Sequence, residues 1–231
     1  MSRLLAAALL AALALPAAAQ THLADSSGVY IGLTPVYDNL TGVSGASASV
    51  GYRQANGLDY GFGIQFQGRK SEYQSSSYGA ISAGATLGYT QELGRDLRLR
   101  LESAAGYQSQ RFEQFSLDGS RQEIVPSNAF LDVSASVSRS VPLAGSLRLH
   151  PSLGLYAHGS IALDDANRSF AGSDPLNIGG IDTGVQVSIP LSFRLFGTDV
   201  AVPFSARYSF QGPRAALAPE WTPSMGLRVN F

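Results

Sequence analysis

Four side chains in the second half of the chain have the types and spacing for acyl-transfer chemistry: Asp132, His158, Ser160 and Asp182. His158 and Ser160 are two residues apart, so in an extended strand they point to the same side. A hydroxyl beside an imidazole, with a carboxylate to hold the ring, is a minimal nucleophilic set: the imidazole takes the hydroxyl proton as the oxygen attacks. Asp132 and Asp182 lie in the stretches before and after, where flanking strands would present a carboxylate at the height of His158. The same residues also suit a silent role, a polar rim of His and Asp joined by hydrogen bonds, and the silent role is the expectation.

Other chemistries find no support. There is no P-loop, no His-Glu-x-x-His, no nucleotide fingerprint and no Gly-x-Ser-x-Gly elbow. Cysteine is absent, which excludes disulfides, thiolate metal sites and Cys nucleophiles. The segment Asp165-x-Asn167-x-Ser169 is similar to the start of a calcium loop, but it lacks the Gly at the sixth position and the Glu at the twelfth. Sixteen basic and seventeen acidic side chains give a net charge of -1, without the clustered positive charge of a nucleic-acid footprint. No cofactor, no metal and no nucleic-acid partner are expected.

The elements that must position these residues are strands. Apolar and polar side chains alternate in Val29 to Val36, Ser44 to Arg53, Leu58 to Gln67, Ala80 to Gln91 and Leu97 to Gln108. The pattern resumes in Ala129 to Arg139, Leu147 to His158, Ile181 to Phe193, Val200 to Gln211 and Trp221 to Phe231. The third stretch is the cleanest: Leu58, Tyr60, Phe62, Ile64 and Phe66 against Asp59, Gly61, Gly63, Gln65 and Gln67. In the last, Trp221, Pro223, Met225, Leu227, Val229 and Phe231 oppose Thr222, Ser224, Gly226, Arg228 and Asn230, and the chain stops on the aromatic. Connections alternate between short turns, such as Ala55-Asn56-Gly57 and Phe196-Gly197-Thr198, and long polar loops.

Apolar alternation ending in a terminal Phe resembles the closing strand of Gram-negative outer-membrane β-barrels. The resemblance implies an antiparallel, up-and-down transmembrane barrel of about ten strands, with eight or twelve as alternatives. It further implies that Met225, Leu227, Val229 and Phe231 form the signal read by the barrel assembly machinery. The His-x-Ser pair resembles that of the outer-membrane lipid A deacylases, in which such a pair works with a carboxylate on the next strand; here the strand number and the carboxylate spacing differ. Omptin proteases are similar in strand number and in carrying acidic and His residues at the outer rim, but their paired-Asp and His-Asp motifs are absent.

Met1 to Ala19 reads as a cleaved signal peptide: Arg3, an apolar core from Leu4 to Leu15, and the small Ala17-Ala18-Ala19. Residues 20–231 form the barrel domain. The polar face carries Arg53, Asp59, Arg98, Arg100, Glu102, Arg148, Arg207 and Arg228, which an enclosed interior can hold as a charge network. The apolar face is nearly charge-free, with Arg139 the exception. Its aromatics gather in two belts, Tyr52, Tyr60, Tyr89, Phe193 and Phe231 at one end and Tyr37, Phe66, Tyr107, Phe210 and Trp221 at the other, as at the two interfaces of a bilayer. Pro35, Pro151, Pro190, Pro203 and Pro223 fall inside these strands, where each removes a ladder hydrogen bond, so bulges near strand ends are expected.

The expected protein is a monomer of the bacterial outer membrane, in contact with its lipid and lipopolysaccharide. A structural or surface-interaction role, or narrow solute passage, is expected rather than an enzyme. The alternatives are an outer-membrane lipid hydrolase using His158 and Ser160, or a secreted soluble β-barrel that binds a small ligand.

Overall fold

β-Branched and aromatic residues alternating with Gly, Ser, Thr and Gln can give each face one solvent only as strands. The structure, a computed structural model, describes residues 27–38, 43–70, 76–94, 96–115, 121–125, 127–163, 181–211 and 221–231. The expected leader Met1 to Ala19 and the Asp165-x-Asn167-x-Ser169 segment lie outside the described residues. The strands are β1 (Gly28–Asp38), β2 (Val43–Arg53), β3 (Leu58–Lys70), β4 (Ser76–Gly94), β5 (Leu97–Phe115), β6 (Arg121–Ile124), β7 (Ser127–Arg139) and β8 (Val141–Ala144). They continue as β9 (Leu147–Leu149), β10 (Ser152–Ala162), β11 (Ile181–Ser188), β12 (Leu191–Leu195), β13 (Thr198–Val202), β14 (Phe204–Gln211), β15 (Thr222–Met225) and β16 (Leu227–Asn230).

Every pairing is antiparallel, and the sixteen segments belong to one sheet. Segments that continue one another across short breaks, β6 with β7 and β8, β9 with β10, β11 with β12, β13 with β14 and β15 with β16, reduce to ten rows among the described residues. The first row pairs with β2 on one edge and with β16 on the other, Ile31 opposite Val229 and Leu33 opposite Leu227. The sheet order therefore runs back onto itself. At this seam Phe231 N–H donates to Val29 O at 2.8 Å. A Cβ on Gly28 would lie 2.3 Å from Phe231 O, so only glycine lets the two ends approach this closely.

Burial is inverted relative to a water-soluble protein. Val29, Ile31, Leu33, Phe62, Phe66, Leu101, Leu131, Leu153 and Leu155 are exposed, and Asp59, Gln65, Arg100, Asp132 and Arg228 are buried. In β7 the pattern is strict, with Phe130, Asp132, Ser136 and Ser138 inward and Leu131, Val133 and Val137 outward. The belt aromatics Tyr52, Tyr60, Tyr89, Phe66, Tyr107, Phe210, Trp221 and Phe231 all face out, and Phe193 is half-buried. Arg139 stands exposed at the end of β7. The side chain of Tyr37 lies outside those described.

Strand ends differ from the sequence expectation in three respects. First, β4 and β5 run to Ser76 and Phe115, well past the expected Ala80 and Gln108. The alternation reports only the part that meets an apolar medium, and a backbone ladder can continue into water without it. Second, β6 pairs with β5 inside the expected loop. Third, the last five rows are each interrupted, at Ser140, at His150-Pro151, at Ile189-Pro190, at Pro203 and at Gly226. Proline has no N–H to continue the ladder, but its carbonyl still accepts. Arg139 N–H donates to Pro151 O at 3.0 Å, His150 N–H to Pro190 O at 2.9 Å, and Gly226 N–H to Pro203 O at 3.0 Å. The breaks thus form one line across five neighbouring rows, near the short-turn end. Pro35 and Pro223, by contrast, sit inside β1 and β15 without a break.

The short turns are tight. Between β12 and β13 both central residues have positive φ, 50° at Phe196 and 82° at Gly197, the left-handed pair that suits a two-residue hairpin. The Phe196 side chain is 99% exposed at the tip.

Candidate functional site

β10 lies between β7 and β11, and the register brings the expected site together. His158 is directly opposite Asp132 on one side and Asp182 on the other. The His158 Nδ1–H donates to Asp132 Oδ1 at 2.9 Å, and the ring stacks on Phe130 with centroids 6.4 Å apart. Ser160, one step further along the same face, is opposite Phe130. The decisive atom is His158 Nε2, which is buried and has no hydrogen-bond partner. The base is therefore oriented by its carboxylate, but it does not hold the Ser160 hydroxyl. All four residues are buried on the inner face, with His158 6% exposed. A lipid acyl group arriving from the outer, apolar face would meet Leu131, Val133 and Leu155 instead.

Arg53, Asp59, Arg100 and Glu102 meet in the part of the lumen nearer the short turns. Asp59 accepts from Arg53 Nη2 at 3.0 Å, from Arg100 Nη1 at 2.6 Å and from Arg100 Nη2 at 3.1 Å. Arg100 also donates to Glu102 Oε2 through Nε at 2.9 Å and Nη2 at 2.7 Å, and to Thr90 Oγ1 at 3.1 Å. Charge-assisted bonds of this kind are short and about twice as strong as neutral ones. Arg98 reaches Glu92 at the rim at 3.3 Å, and Arg148 donates to Ser140 Oγ at 3.3 Å. Arg228 stacks 3.5 Å over the Tyr30 ring and Arg207 4.7 Å over the Tyr156 ring, both within cation–π range.

Two lumen rings, Tyr30 and Phe130, were not among the expected site residues. The signal was present: each occupies the polar parity of its strand. Room for the rings comes from glycines on neighbouring strands. A Cβ on Gly51 would lie 2.3 Å from Tyr30 Cζ, and one on Gly106 2.6 Å from Phe130 Cζ. Tyr156 lies against Gly184 in the same way, and its hydroxyl pairs with Ser209 Oγ at 2.5 Å. Above Phe130, toward the long loops, the inner face is amide-rich: Gln65, Gln67, Gln108, Gln110 and Asn128 are all buried. In Gln65, Gln67 and Gln110 neither amide atom has a hydrogen-bond partner, and each amide atom buried so costs about 1–3 kcal/mol. Among the described residues no group of three His, Cys, Asp or Glu could hold a metal ion.

All-β, antiparallel, joined first row to last and inverted in burial, the chain has the fold of an outer-membrane β-barrel. A solved structure bears this out. The β-domain of the Bordetella autotransporter BrkA superposes with a TM-score of 0.53 at 11% identity, covering 90% of this chain and 99% of that one. The translocator domain of the autotransporter NalP from Neisseria meningitidis gives 0.47 at 8% identity over 88% and 86% of the two chains. LpxR from Salmonella typhimurium gives 0.38 at 8% identity over 89% and 99%. These last two overlays are looser and decide nothing. No protein-family model matches the chain, and no curated protein sequence does.

Proposed function

We propose that this chain is a closed-lumen barrel of the bacterial outer membrane. It serves as a structural wall and as a surface presented through its long loops, and the lumen offers solutes no open path. The observation that carries this is Arg100, 2% exposed and clamped between Asp59 and Glu102 from two strands. Below Phe130, the Tyr30 and Tyr156 rings also stand inside the lumen, each with a guanidinium group stacked on it. About eight strands suffice to enclose a lumen that side chains fill, and ten widen it only modestly. Planar-bilayer recording tests this. Wild type is expected to give no steady single-channel current, and regular unitary currents would make it a pore.

The His158–Asp132 contact favours a second reading, a hydrolase. Such an enzyme would release fatty acid from outer-membrane lipid and lose that activity in Ser160→Ala and His158→Ala. Because Nε2 is not engaged with the hydroxyl and the set is lumenal, wild-type protein is expected to release none above a Ser160→Ala control.

We further propose that the barrel assembly machinery reads Met225, Leu227, Val229 and Phe231. Met225, Leu227 and Phe231 are exposed on the outer face, and Val229 is half-exposed. Deleting Phe231 is expected to cut the heat-modifiable, folded form in outer-membrane fractions several-fold; an unchanged yield would remove this role. The expected contacts of a monomer with lipid and lipopolysaccharide belong to the same proposal.

A further inference from the structure

We propose that the long-loop end of the lumen binds a neutral, hydroxyl-rich ligand of the carbohydrate class. This goes beyond the wall-and-surface role. Gln65, Gln67 and Gln110 face inward there, 1%, 7% and 1% exposed, and none of their six amide atoms has a hydrogen-bond partner. Register sets them in two adjoining rows. Gln65 is opposite Ser82, which is opposite Gln108; Gln67 is opposite Ala80, which is opposite Gln110.

The chemistry of these rows selects the ligand. An amide offers a donor and an acceptor side by side, and so does a pair of neighbouring sugar hydroxyls. Among the described residues these rows contain no Asp, Glu, Lys or Arg. A charged ligand would therefore enter a low-dielectric site with nothing to balance it. One layer below, the tip of the Phe130 ring reaches over Gly84 and Gly106 and forms an aromatic floor. A sugar ring can set its C–H face on such a floor and its hydroxyls toward the amides, the mix of apolar surface and few convergent polar groups that marks small-molecule sites. The glutamines have rotatable stems, so a ligand can part them without moving a strand. Phe130 also separates this layer from the Arg100 network, so binding requires no passage through the barrel.

The test is NMR on the full chain, 15N-labelled and refolded in detergent micelles. The glutamine side-chain resonances are followed as glucose, maltose or glucuronate is added, with purified lipopolysaccharide as a separate arm. Saturable shifts at Gln65, Gln67 and Gln110 are expected with the neutral sugars, and about tenfold weaker binding with glucuronate or in Gln65→Leu. Gln110→Leu serves as the second variant if the first does not fold, with heat-modifiable migration as the check. Saturation by free sugar would identify a soluble ligand, and saturation by lipopolysaccharide alone a lipid-linked one; either supports the site. No saturable shift with any of these would overturn it, as would tighter binding of glucuronate than of glucose, or unchanged affinity in a folded leucine variant.

Discussion

Asp59→Ala is expected to lower the unfolding free energy of the barrel by about 3–5 kcal/mol, the usual penalty for removing one partner of a buried ion pair. Asp59 is 1% exposed and accepts three bonds from Arg53 and Arg100. Without it, Arg53 loses the carboxylate it donates to and faces Arg100 in a medium where like charges repel strongly. Glu102→Gln is expected to cost clearly less, because Arg100 keeps both bonds to Asp59 and the amide oxygen can still accept. Urea titrations of the two variants in detergent or lipid vesicles supply the comparison. Equal, small losses for both would mean that water already screens these charges, and the closed lumen would have to be abandoned.

The second large effect concerns the outer face. Val133 sits mid-way along β7, exposed, opposite Ala157 on one side and Ser103 on the other. In water, Val133→Arg at such a position would be close to neutral. Against hydrocarbon an arginine at mid-height costs about 2–4 kcal/mol, and the cost falls toward the interfaces. Ser109→Arg, on β5 just beyond the Tyr107 belt, is therefore expected to change stability by no more than about 0.5 kcal/mol. Refolding both variants into lipid vesicles reads this difference in depth. A Val133→Arg barrel as stable as wild type would place the protein in water and revive a secreted, soluble barrel.

Much of this arrangement was legible from residue order. Period-two alternation gave the strands, and the charge-free parity gave the outer face; both are local properties of a strand. The placement of His158 opposite Asp132 was legible too, because a short turn holds those two rows in register, whereas Asp182 follows a long connection and its height came only from its position at the start of a strand. The orientation of His158 Nε2 was not, since the ring's direction depends on Phe130 and on which carboxylate it chooses. The glycine beds under Tyr30 and Phe130 were hidden for a related reason. Gly51, Gly84 and Gly106 fall on the polar parity of their strands, but which ring lies over which glycine is a relation between strands. The line of breaks was legible only as isolated prolines. Their alignment depends on how five rows stack side by side.

That alignment gives the wall two mechanical regimes. The first five rows run as uninterrupted staves, whereas the last five carry a crease above β8, β9, β12, β13 and β16. The Arg139–Pro151, His150–Pro190, Ile189–Phe204 and Gly226–Pro203 backbone bonds are the joints across the crease. The barrel therefore carries a hem on one side, where backbone amides are expected to exchange faster than in the first five rows. Arg148 and Arg228 stand on that hem, so the charged section of the lumen is anchored partly to the creased side of the wall and partly to the unbroken one.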